Sequence, residues 1–410
     1  MNFLLLNSLF LRPLIAHADG SQANTKKSYR YVALLGDGSH DDSAIIQAEI
    51  DRTYSSGGGT LIVTSPRAYY RWPVFVPSFV HIVHTGTIIE IDHGADGRPA
   101  APAYVLGNCR EFNRDIVQQR RKTDDRLGNY ENVDFEDIPL GTWPEEYDEV
   151  HGISGTSNAR IRAIDCSVSG MTISAPTHLT DRAFGVWFGN VSRARATNWT
   201  TNNLTQPFSL GSDYHPRTPY AVECVVENLH VSTPSSSRTY YGIGFLANAN
   251  RCTARYLYQH SAVPDNLRDG NMIYANFAKN CVIENFVGNC GFGENGDGVG
   301  LQNSSGCRVR NGVVMNARNG ISDYYTRVEF LDPFNRNQYK DITCINCENG
   351  IKIASKYSVF ENIDTKSCKN DLYIVNNNAV LNKLINVKVD NVRYGKSASP
   401  DFFFNNNLRK

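Results

Sequence analysis

Cys281-Val282-Ile283-Glu284-Asn285 and Cys307-Arg308-Val309-Arg310-Asn311 are two copies of one short unit, 26 residues apart. Each is followed by a second short apolar run: Asp297-Gly298-Val299 after the first, Asn319-Gly320-Ile321 after the second. The first run recurs as Cys166-Ser167-Val168, Cys224-Val225-Val226, Cys252-Thr253-Ala254 and Ser358-Val359-Phe360. The second recurs as Phe184-Gly185-Val186, Tyr241-Gly242-Ile243, Asp269-Gly270, Asn349-Gly350-Ile351 and, without the glycine, Asn370-Asp371-Leu372. Two residues after the first run sits a turn residue: Gly170, Asn198, Asn228, Tyr256, Asn285, Asn311, Asp341, Asn362. From Asn228 to Asn362 the steps are 28, 29, 26, 30 and 21, which fits a coil of 21–22 residues carrying insertions.

A three- or four-residue strand is not stable alone. Winding the chain so that each coil lies on the previous one pairs every strand with its copy about 4.8 Å away. Like residues then stack on like. Asparagine supports such a stack, because its amide both donates and accepts. Of the 41 asparagines, 34 lie after residue 150. A turn asparagine in each coil is expected to bond its neighbours and satisfy buried polar groups along the ladder. Cys166, Cys224, Cys252, Cys281 and Cys307 are expected to stack inward as free thiols, with Cys290, Cys347 and Cys368 as a second column.

The rest of the chain is read around this body. Residues 3–16 are largely apolar and end in Ala16-His17-Ala18, a small-x-small cleavage pattern. That run is too short and too broken to span a bilayer. The expected organisation is a signal peptide over 1–18, a polar segment over 19–29, one β-helix domain over 30–393 with a charged insertion at 110–150, and a C-terminal tail or cap over 394–410. Ala44-Ile45-Ile46-Gln47-Ala48-Glu49-Ile50-Asp51 has helical spacing, with Asp41 or Asp42 placed to cap it. Lys plus Arg is 41 and Asp plus Glu is 41, so the basic excess of a nucleic-acid binder is absent. The mature protein is expected to be a monomer, secreted or periplasmic, with no nucleic-acid or membrane partner.

The coil pattern, with Gly36-Asp37-Gly38 through Asp41-Asp42-Ser43-Ala44, Gln47-Ala48 and Gly57-Gly58-Gly59-Thr60, resembles the pectate-lyase-like superfamily, polygalacturonase-related branch. The resemblance covers most of residues 30–393. It implies an all-β fold, a right-handed single-stranded parallel β-helix with a short N-terminal capping helix. It also implies a polysaccharide substrate lying on the outer face of one sheet, and no cofactor or metal is expected here. The activity motifs of polygalacturonases are not reproduced. There is no Gly-His-Gly, and Asn349-Gly350-Ile351-Lys352-Ile353 only echoes their Arg-Ile-Lys.

Candidate residues follow from the unit. Asp269 and Asp297 are expected in one column of neighbouring coils, where two carboxylates push each other's pKa apart as an acid and its partner require. Turn formation by Asp-Gly explains the same letters. Asp323 is expected at the inward position of Leu301 and Ile353, either buried with a raised pKa or turned outward by a bulge. Tyr324 beside it suits sugar stacking or acid–base work. Lys352 is expected to point outward and, with Arg318, Arg268 and Arg238, to hold uronate carboxylates. His215 is a candidate base on a loop, and Trp187 and Tyr373 are candidate sugar platforms. The expected function is cleavage of polysaccharide glycosidic bonds by a glycoside hydrolase with paired carboxylates. The alternatives are a metal-independent lyase using Tyr324, Lys352 or His215, and a non-catalytic carbohydrate-binding or tailspike-like protein.

Overall fold

The computed structural model describes residues 28–71, 73–91, 102–107, 163–176, 183–189, 191–211, 221–234, 239–247, 249–259, 269–290, 296–324, 336–376, 379 and 381–398. The expected signal peptide, the charged insertion, His215, Arg238 and Arg268 lie outside them. Among the described residues the strands form sheets of fifteen, eleven and three strands. Neighbours run parallel, each strand pairing with its copies in the coils before and after. The coils wind as a right-handed β-helix. Its core is a continuous column of inward aliphatic residues, such as Ile273, Val299, Ile321, Ile351 and Leu372, each 0% exposed. No helix among the described residues is long and apolar enough to cross a membrane.

The expected helix is Ser43–Ser55, with Ile46 and Ile50 buried. It closes the N-terminal end of the coil stack. The Gln47 side-chain amide donates to the Phe75 carbonyl (3.2 Å) and accepts from the Phe75 N–H (2.8 Å). Phe75 lies in the outermost strand of the eleven-stranded sheet, so the helix covers an edge that would otherwise invite another strand. Asp41 caps the Ser43 N–H (2.9 Å). Asp42 acts elsewhere. Its buried carboxylate accepts from the Leu35, Gly36 and Tyr69 N–H groups and ties the entry loop to the first coil.

The turn column has a backbone cause. Asn198, Asn228, Tyr256, Asn285, Asn311, Asp341 and Asn362 all have φ between 53 and 55°, and Gly170 has φ 75°. Asparagine, aspartate and glycine enter this left-handed region at least cost. Bonds run along the column: Asn228 to Asn198 (2.8 Å), Asn311 to Asn285 (3.3 Å), Asn362 to Asp341 (2.7 Å), and Asn386 to Asn362 (3.0 Å). This ladder is exposed, not buried as expected, because a left-handed residue directs its side chain off the corner of the coil. Tyr256 interrupts it. Tyr256→Asn is therefore expected to relieve backbone strain and join the Asn198–Asn228 and Asn285–Asn311 segments of the ladder. The gain should be about 1 kcal/mol, read as a higher urea midpoint.

The cysteine column is present. Cys166, Cys224, Cys252, Cys281 and Cys307 are buried free thiols. The second expected column needs correction: Asn289 pairs with Met315, so Cys290 falls one residue out of step with Cys347 and Cys368.

Candidate functional site

The outer faces of the two long sheets are built differently. On the fifteen-stranded sheet, Glu227, Arg255, Glu284, Arg310, Lys340 and Glu361 stand in register, alternating in sign apart from the adjacent Arg310 and Lys340. They close on one another: Arg255 with Glu227 at 3.1 Å, Arg310 with Glu284 at 2.6 Å, Lys340 with Glu361 at 2.7 Å. This is a self-paired solvated face. On the eleven-stranded sheet the matching outward column is Trp187, Ser209, Phe245, Tyr274, Gly300, Ser322, Lys352, Tyr373 and Arg393. It is aromatic at one end and cationic at the other.

The second half of that column and its surroundings gather five of the eleven expected residues: Asp297, Arg318, Tyr324, Lys352 and Tyr373. Phe245 and Tyr274 stack with centroids 5.7 Å apart. The Tyr274 and Tyr324 hydroxyls are 3.0 Å apart. Lys352 Nζ lies 4.6 Å above the Tyr324 ring, and the Arg393 guanidinium 4.6 Å from the Tyr373 ring, both cation–π distances. Glu348 sits between Arg393 (2.8 Å) and Arg318 (3.7 Å). Tyr274, Phe245, Ser322, Glu348 and Arg393 were not singled out from the sequence. Tyr274 and Phe245 lack the Asp-Gly or Asn-Gly marker two or three residues before them that locates Ser322 and Lys352.

Asp297 belongs to the same patch. Its residue is 4% exposed. Its carboxyl turns to the outer side, with Oδ2 3.2 Å from where a Cβ on Gly300 would stand. Oδ1 accepts from Asn319 Nδ2 at 2.7 Å. Burial pushes this carboxyl above the ordinary carboxylate range, against the pull of Lys352, Asn319, Ser322 and Arg318.

Two expectations about carboxylates are corrected. Asp269 does not share a column with Asp297. The register pairs Ile273 with Val299, and the residue facing Asp297 is Asn271, whose Oδ1 accepts the Asp297 N–H at 2.9 Å. The strand Asp269–Asn276 is two residues longer than Asp297–Gln302, so aligning the two Asp-Gly pairs shifts it by two. Asp269 pairs instead with Thr239. Asp323 does take the position of Leu301 and Ile353, and no bulge turns it out: it is 0% exposed. It accepts from Ser358 Oγ (2.6 Å) and Asn337 Nδ2 (3.1 Å), inside the coil stack. Burial raises its pKa to about 6, against those hydrogen bonds. Asp297 and Asp323 thus face opposite sides of the sheet and are not a pair acting on one substrate. Trp187 shares the outward column but is six strands from Lys352 and 9% exposed, edge-on to Phe184 at 5.3 Å.

No protein-family model matches the chain, and no curated protein matches it in sequence. Solved structures match its fold. A surface adhesin of Streptococcus pneumoniae, PfbA, aligns over 87% of this chain and 85% of its own, at 13% identity and a TM-score of 0.54. The catalytic domain of Agl-KA aligns over 96% of this chain and 69% of its own, at 12% identity and a TM-score of 0.50. The chain is a parallel β-helix protein. An endo-xylogalacturonan hydrolase from Aspergillus tubingensis is a more distant match, at 10% identity and a TM-score of 0.48 over 92% and 94% of the two chains. The architecture is the one implied by the resemblance to the pectate-lyase-like superfamily.

Proposed function

We propose that the outer face of the eleven-stranded sheet, from Phe245 to Arg393, binds a polysaccharide and that Asp297 takes part in cleaving its glycosidic bonds. The observation that carries this is the placement of Asp297: a buried carboxyl with a raised pKa, turned toward an outward row of aromatic rings and cations. Protonating a glycosidic oxygen calls for a carboxyl shifted in this direction, toward holding its proton. The part-buried Tyr324, backed by Tyr274, offers an aromatic surface to sugars, while Lys352 and the net positive Arg318–Glu348–Arg393 group offer charge to acidic ones. The companion carboxylate in this reading is Asp269, one strand across from Asp297 and two residues along. That step separates the two backbones by about 8 Å.

The test is incubation with a panel of neutral and acidic polysaccharides, reading reducing ends and absorbance near ~232 nm, where the unsaturated product of proton abstraction absorbs. Reducing ends without absorbance are expected. Absorbance that disappears in Lys352→Met or Tyr324→Phe would replace the hydrolase with an eliminating lyase.

A second reading is a carbohydrate-binding module without cleavage. The two-sided placement of Asp297 and Asp323 favours it, and one structural neighbour is a surface adhesin. Retention on an acidic polysaccharide column, lost in Lys352→Met, with no new reducing ends, would establish it.

A further inference from the structure

A buried file of amides ends on Asp297. Asn370 Nδ2 donates to Asn349 Oδ1 (3.0 Å), Asn349 Nδ2 to Asn319 Oδ1 (2.8 Å), and Asn319 Nδ2 to Asp297 Oδ1 (2.7 Å). The four residues are register partners on consecutive strands. All three amides have the same polarity, so every N–H in the file points toward the carboxylate. Beyond Asp297 the pattern changes: Asn271 accepts from the Asp297 backbone N–H and gives nothing to its carboxyl. The carboxylate is therefore the terminal acceptor of a polarised chain, and such chains strengthen each successive bond.

We propose that Asn319, Asn349 and Asn370 act together as positioning residues for Asp297, holding Oδ1 so that Oδ2 is directed over Gly300 beside the Tyr274 ring. That close approach has a steric basis. Gly300 has no unusual φ, but a Cβ there would lie 2.9 Å from the Tyr274 ring and 3.2 Å from Asp297 Oδ2. Glycine lets the Tyr274 ring and Asp297 Oδ2 close over this strand, between Tyr274 and Ser322 in the outward column. An ionised Asp297 is favoured by the three aligned amides; a neutral one is favoured by burial. The file thus sets which oxygen carries the proton and how readily it leaves. The other charged or titratable groups acting at this position are Lys352, Arg318, the Cys290 thiol and the Tyr339 hydroxyl.

The inference rests on the acid role proposed for Asp297, and its test is separable from that role. Carboxyl-labelled aspartate is titrated by NMR in the whole protein, with the Asp297 signal assigned by its loss in Asp297→Asn. Asn319→Ala removes the donor and is expected to raise the Asp297 midpoint by about one pH unit. Asn370→Ala lies at the half-buried far end of the file and does not touch Asp297. It is expected to raise the midpoint by a smaller, measurable amount, and it reports even if Asn319→Ala fails to fold. A column that serves only the fold would lower the melting temperature in both variants and leave the midpoint where it was; that result overturns the proposal. If a substrate is cleaved, the limb of the pH–rate profile belonging to the acid moves by the same amount. If none is cleaved but the midpoint moves, the positioning stands and the assignment of the reaction falls.

Discussion

Asp323→Asn is expected to be more stable than the native chain at pH 7 by about 2 kcal/mol relative to their difference at pH 4. The carboxyl has an ordinary value of 3.8 and is raised to about 6 in the fold, chiefly because it is fully buried. A raised carboxyl favours its protonated form in the folded chain. Below the unfolded value both states hold the proton and nothing is lost. Between 3.8 and about 6 the unfolded chain ionises while the folded one resists, so native stability falls with every pH step. Above that window the loss is complete. Asparagine mimics the protonated acid. It keeps a carbonyl for one donor, and its amide can donate to Ser358 Oγ, which then accepts. Urea unfolding of both proteins at pH 4 and pH 7 decides the matter. A difference that does not change with pH would mean that Asp323 is not the buried acid described. Asp323→Leu follows from the same geometry in a different way. It matches the aliphatic neighbours Leu301 and Ile353, yet it strands the Ser358 hydroxyl and one bond of Asn337 inside the core. Losing one partner of a buried polar set costs about 1–3 kcal/mol, so the leucine variant should be the weaker of the two.

The fold was legible because stacking makes it so. Like letters recur at the coil spacing, and in the column from Gly170 to Asn362 the left-handed corner is asparagine, aspartate or glycine except at Tyr256. Counting from Gly320 places Asp323 inward correctly, since side chains alternate over Ile321, Ser322 and Asp323. The same counting fails at Asp269, where a strand begins two residues early and the Asp-Gly marker no longer labels the same place. The buried amide file is half visible in the letters: Asp297, Asn319, Asn349 and Asn370 read as one column of turn formers. Hydrogen-bond direction, which makes Asp297 its terminus, is set by coordinates and not by letters. The paired charges on the other sheet are also written in the letters. Each of Glu227, Arg255, Glu284, Arg310, Lys340 and Glu361 directly precedes a turn-column residue. Their pairing marks that face as self-satisfied and leaves the other face as the place to look for a ligand. The loop candidates His215, Arg238 and Arg268 have no repeat to anchor them, and sequence reasoning about them had only residue type to use.

Asp297→Asn should separate the two explanations of that residue, because turn chemistry and catalysis predict opposite results. An asparagine there would be the natural continuation of the file below it: its Oδ1 accepts from Asn319 as the carboxylate does. It would also remove the burial penalty that holds the carboxyl above its ordinary range. The variant is therefore expected to melt at or above the native temperature. If Asp297 were present only to make a turn, exchanging it for the residue used at 319, 349 and 370 would change nothing else. In the proposed reaction the amide has no proton to give the leaving oxygen, and the rate should fall by about 10²–10⁴-fold, with substrate retention nearly unchanged. Retention depends on Tyr274, Tyr324 and Lys352, which the substitution leaves in place. A folded Asp297→Asn protein that binds the polysaccharide and cleaves it at the native rate would remove Asp297 from the mechanism and return it to the turn.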